Sequence, residues 1–201
     1  MNLREQYVAF LTIVRKEIKR YLRIWTQTLL PSAITMSLYF VIFGSLIGSR
    51  IGEMGGFTYM QFVVPGLIMM AIVTNSYSNV VSSFFGSKFS HSVEELLVSP
   101  VSNFVILMGY VVGGVSRGLL VAVVVTLVSL FFTHLHIYSY LVVVVVVLMT
   151  STLFALAGFI NAVYANNFDD ISIIPTFVLT PLIYLGGVFY SMDLLSPFWA
   201  N

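Results

Sequence analysis

Few side chains in this sequence have the type and spacing to do chemistry. The histidines are His91, His134 and His136. The last two, in "THLHIYS", could chelate a metal on an extended strand, but a loop pair between two apolar runs is the simpler reading, and no metal site is expected. There is no cysteine, which excludes disulfides, Cys-ligated zinc and thiol catalysis. Nucleophile-elbow, HExxH and GxxxxGK(S/T) patterns are all missing, so neither hydrolytic chemistry nor ATP cleavage is expected of this chain. The carboxylates Glu53, Glu94, Glu95, Asp169, Asp170 and Asp193 fall in expected loops or at the ends of apolar runs. An ion-coupled transporter carries its ion on acids near mid-membrane instead. Not an enzyme, no cofactor in this chain, and any driving energy supplied by another subunit: that is the expectation.

Two charged features remain. The first is "SHSVEELLVSP", Ser90 to Pro100, which sets Glu94 and Glu95 among apolar neighbours between two long tracts almost free of charge. Ser90 or Ser92 can cap a short helix, the two glutamates suit its first turns, and Pro100 marks its end. Val93, Leu96 and Leu97 then form an apolar face. The second is Arg117, a lone charge inside an apolar run. A charge at mid-bilayer costs at least about 2.5 kcal/mol and persists when paired or near water. Asp169 and Asp170 in "NNFDDIS" are assigned to the same side of the membrane, so one of them is its expected partner. A snorkelling arginine with no specific partner is the alternative.

The elements that position these residues are membrane spans. Of 201 residues, 59% are hydrophobic and 8% charged, against about 25% charged in a soluble domain. A net charge of +1 gives no basic field for nucleic acid. Runs of about 20 apolar residues cover about 30 Å of hydrocarbon, and they predict spans over 25–47, 59–81, 104–132, 140–164 and 171–190. The valines Val142 to Val147 favour strand in water, but an open strand edge in lipid leaves backbone groups unpaired, so helix is expected. The glycines of "GYVVGG" read as small-residue helix packing. Residues 1–23 differ: Tyr7, Phe10, Leu11, Val14, Ile18, Tyr21 and Leu22 recur at helical spacing, with Arg15, Lys16, Lys19, Arg20 and Arg23 largely on other faces. This is a basic amphipathic helix suited to an interface with anionic lipid headgroups. With the N-terminus inside, Arg4, the five basic residues of the helix and Lys88 are cytoplasmic, and Arg50 alone lies outside. The expected fold is an all-α polytopic membrane protein: an N-terminal interface helix and five spans.

The basic N-terminal helix, "EELLVSPVS" after the second span and "FDDISIIPTFVLTPLIYLGGVFYS" at the fifth together resemble the ABC-2-type transporter permeases, most closely the polysaccharide or multidrug export branch. The resemblance covers essentially the whole chain. It implies a bacterial inner-membrane subunit of an exporter, with two permeases, taken as two copies of one chain, beside two separate ATP-binding subunits that carry the ATP. It makes residues 87–100 a cytoplasmic coupling helix, with Ser90, His91, Val93, Glu94, Glu95, Leu96 and Leu97 docking on the ATPase. It also implies six spans, so the chain reads as lacking the C-terminal part of the family pattern. Against this stand an ion-coupled or passive transporter, and a membrane scaffold recruiting a cytoplasmic partner through the same helix. Nothing in the sequence selects the cargo.

Overall fold

The computed structural model describes residues 2–54, 56–135 and 137–190. Its helices follow from the capping chemistry and apolar run lengths of the sequence. Helix α1, Leu3–Arg23, opens with Glu5 Oε2 accepting the Asn2 amide at 2.9 Å. The first apolar stretch is segmented: α2, Trp25–Thr28, then α3, Leu30–Phe40, then a wider π-type segment, Val41–Ile47, and α4, Gly48–Ile51. Pro31 sits at the start of α3, where its missing N–H costs little. A two-residue hairpin follows, β1 at Glu53–Met54 against β2 at Phe57–Thr58.

Helix α5, Tyr59–Phe89, is the axis of the fold. Thr58 and Gln61 cap its start reciprocally, at 3.5 and 3.2 Å. Its Val63, Val64, Leu67, Ile72 and Val80 are completely buried. Next come α6, Ser92–Val98, α7, Asn103–Ser129, and α8, Tyr140–Tyr164. On α8, Val142 to Val146 stay exposed; exposed valine on a helix this apolar faces lipid. Among the described residues, four helical stretches are long and apolar enough to cross a membrane: Trp25–Gly44, Tyr59–Phe89, Asn103–Ser129 and Tyr140–Tyr164. The chain is therefore an all-α polytopic membrane protein.

The region expected as a fifth span, 171–190, departs from a single straight crossing. It comprises α9, Asp170–Ile174, a π-type segment, Pro175–Leu179, and α10, Thr180–Leu185. Proline at 175 deprives the Ile171 carbonyl of its helical donor, and Asn161 Nδ2 donates to that oxygen at 3.5 Å. Gly187 then takes φ +77°, a left-handed turn that ends helices. Sixteen residues from Asp170 to Leu185 rise about 24 Å, short of the roughly 30 Å of hydrocarbon. Asp193, His136 and the "SMDLLSPFWAN" end beyond Tyr190 lie outside the described residues.

Candidate functional site

Helix α6 projects from one end of the bundle, and its two faces are unlike. Val93 is 7% exposed and anchors it on the core. Glu94, Glu95, Leu97 and Val98 face outward, with Val98 at 87% exposure. The helix occupies Ser92–Val98, so residues 87–89 of the expected coupling segment belong to α5. The cap also differs from the expectation of Ser90 or Ser92. His91 holds that position at φ 58°, and its Nδ1 lies 2.8 Å from Glu94 Oε1. The two serine hydroxyls instead bond back to the Ser87 carbonyl, at 3.3 and 3.2 Å, and so tie the turn to the end of α5. Leu96 is half-buried against the core cluster.

Both ends of α6 are therefore fastened. After it, Gln6 of α1 reads the chain like a clamp: Nε2 donates to the Pro100 carbonyl at 3.2 Å, and Oε1 accepts the Ser102 amide at 3.1 Å. Before it, Lys88 Nζ donates to the carbonyls of Val163 and Ala165, at 2.8 and 2.6 Å. Cations belong at a helix C-terminus, where carbonyls lack donors, so Lys88 caps α8 from α5.

Helix α1 runs beside α7 in step with it. Gln6 meets Ser102, Ile13 faces Gly109, Glu17 faces Gly113 and Tyr21 Oη donates to Ser116 Oγ at 3.3 Å. A Cβ on Gly109 or Gly113 would fall 2.6 Å from the Ile13 or Glu17 side chain, so these two positions set how closely the helices approach. The seam buries a carboxylate. Glu17 is fully buried; Ser83 Oγ donates to its Oε1 at 2.7 Å, and Arg20 Nη2 lies 3.3 Å from its Oε2. Arg20 also donates to the Asn79 carbonyl and side-chain oxygens, at 2.9 and 2.8 Å. Arg15, Lys16, Lys19 and Arg23 remain exposed, with Lys16 Nζ 5.8 Å from the Tyr110 ring centre.

Arg117 does not reach the aspartates. Its Nη2 donates to Asn75 Oδ1 at 3.1 Å, and the ion pairs among the described residues are Glu17–Arg20 and His91–Glu94. Asp170 spends its carboxylate on the amides of Asn166 and Asn167, at 2.8 and 3.3 Å, and Asp169 is exposed. Distance along the bundle is the reason. Phe168 packs edge-to-face against Phe85 with ring centres 5.0 Å apart, ten residues from Asn75 on α5 and hence about 15 Å away along the axis.

Sequence reasoning passed over Glu17, Asn75, Asn79 and Ser83. The signal was available: Asn75, Asn79 and Ser83 recur every four residues on one face of α5, and Glu17 interrupts a basic face. The family model for ABC-2 type transporters matches residues 8–201. The chain belongs to the ABC-2 type transporter family. It is 61% identical over 193 residues to the inner membrane transport permease YadH of Escherichia coli K12, covering 96% of this chain and 75% of that one. The same identity and coverage hold for YadH of Shigella flexneri. Nodulation protein J of Neorhizobium galegae is 21% identical over 189 residues, 94% of this chain and 72% of the relative. Within this family of transporters the polar seam and α6 belong to a permease.

Proposed function

We propose that this permease is the membrane subunit of an ATP-driven exporter of the bacterial inner membrane, moved by a separate ATP-binding subunit that docks on α6. Its N-terminus and α6 face the cytoplasm. Two copies form the path, two ATP-binding subunits drive it, and ATP is held by those partners. The observation that carries this reading is the pairing of exposure with anchorage at α6. Glu94, Glu95, Leu97 and Val98 are presented outward, while Ser87, Gln6 and Val93 hold the same seven-residue helix to α5, α1 and the core. A push on such a helix passes directly into the spans.

Charge reversal at Glu94 and Glu95 tests the reading. Ordinary interface contacts contribute about 1 kcal/mol each, so Glu94→Lys with Glu95→Lys, removing two of them, is expected to weaken binding of the ATP-binding subunit roughly 30-fold and to uncouple ATP hydrolysis from transport. Unchanged hydrolysis and transport would contradict it. Ion-coupled transport has one observation in its favour, the buried carboxylate of Glu17. The Arg20 and Ser83 partners favour a structural acid, and Glu17→Gln should spare coupling if the protein remains folded.

A further inference from the structure

The polar seam contains more donors than acceptors. Arg117 uses one of its five N–H groups, on Asn75. The Nε atoms of Arg117 and Arg20, Nδ2 of Asn79 and the Oγ of Ser76 are buried with no partner among the described residues. These groups converge on one turn of α5, because Asn75 and Asn79 are four residues apart and each accepts from one of the arginines. Charge is in surplus as well. Glu17 balances Arg20, whereas the side chain that accepts from Arg117 is a neutral amide. A low-dielectric site with excess positive charge and idle N–H donors is one that an oxyanion completes.

The depth of the site indicates where that oxyanion comes from. Helix α1 keeps pace with α7 from Ser102 to Ser116, and Arg15, Lys19 and Arg23 on it are exposed. Exposed charges sit in water or among headgroups and not in hydrocarbon. The levels of Asn79 and Ser116 therefore lie within side-chain reach of the headgroup zone. Counting back from Asn79 to Tyr59, the start of α5, about 20 residues remain to cross about 30 Å of hydrocarbon. Arg117 thus stands just inside the boundary on the α6 side of the membrane.

We propose that Arg20 and Arg117 form an oxyanion site that takes the phosphate of an anionic lipid from the leaflet bordering α6. The guanidinium forks match phosphate geometry. The inference holds whether or not an ATP-binding subunit docks on α6.

The test is lipid retention by the full chain, purified in mild detergent and read by native mass spectrometry with phosphatidylglycerol, phosphatidylcholine or inorganic phosphate. Wild type should retain phosphatidylglycerol. Lys19→Gln, removing an exposed charge, should weaken retention only about fivefold, and Arg117→Gln roughly 30-fold. Asn75→Asp supplies the missing anion from within, so it should abolish retention while raising the thermal midpoint, and it decides the matter even where Arg117→Gln does not fold. Three results would each overturn the proposal: Arg117→Gln no weaker than Lys19→Gln, retention undiminished in Asn75→Asp, or inorganic phosphate held equally well without lipid.

Discussion

Ser83 is the residue on which the buried carboxylate leans. Its hydroxyl is the short donor to Glu17, at 2.7 Å, and it is 5% exposed. Hydrogen bonds to charged groups contribute about 1.5–3 kcal/mol, so Ser83→Ala is expected to lower the thermal midpoint of the detergent-solubilised protein without abolishing folding, because Arg20 still faces Glu17. An unchanged midpoint would mean that Glu17 is hydrated. At this scale the sequence was legible in part. Arg117 was recognisable as a charge needing support, because no other charge lies within its apolar run. Its partner was not, since Asn75 is neutral and joins α5 to α7 across 42 positions. Glu17 was hidden for a related reason: on a helix rich in lysine and arginine, an acid reads as one more surface charge until the glycines of α7 are known to lie against it.

Between elements, the seam of α1 and α7 depends on the absence of side chains at Gly109 and Gly113. Gly113→Leu would drive a branched side chain into the stem of Glu17 and is expected to lift α1 from the bundle. Trypsin, which cuts after Arg15, Lys16 and Lys19, should then cleave the N-terminal helix at least several-fold faster than in wild type, while Gly86→Ala, where a Cβ meets nothing within 4 Å, should leave the rate unchanged. Lys88 makes a separate contact between elements. Lys88→Met removes the donor to the carbonyls of Val163 and Ala165, and faster amide exchange confined to the last turn of α8 and residues 165–168 is the expected outcome. Apolar run length made the long helices readable, and the small-residue pattern in "GYVVGG" signalled close packing. The breaks were not readable. Hydropathy is blind to the π-type segments at Val41–Ile47 and Pro175–Leu179, which arise from local hydrogen-bond geometry, and Gly186–Gly187 stops α10 inside what is compositionally one apolar run.

For the whole molecule, orientation and assembly decide the function. A chain free of cysteine allows single-cysteine reporters without background. With the N-terminus inside, a cysteine at Arg4 should resist a membrane-impermeant maleimide in intact cells, and one at Arg50 should react; the reverse pattern would invert the topology and remove α6 from the cytoplasm. The most direct measurement is recovery of a partner. The tagged full-length permease, taken from gently solubilised membranes, should bring down an ATP-binding subunit, and the Glu94→Lys, Glu95→Lys variant should not. Absence of any ATP-binding subunit from a folded wild-type preparation, or its equal recovery with the variant, would contradict an exporter driven through α6.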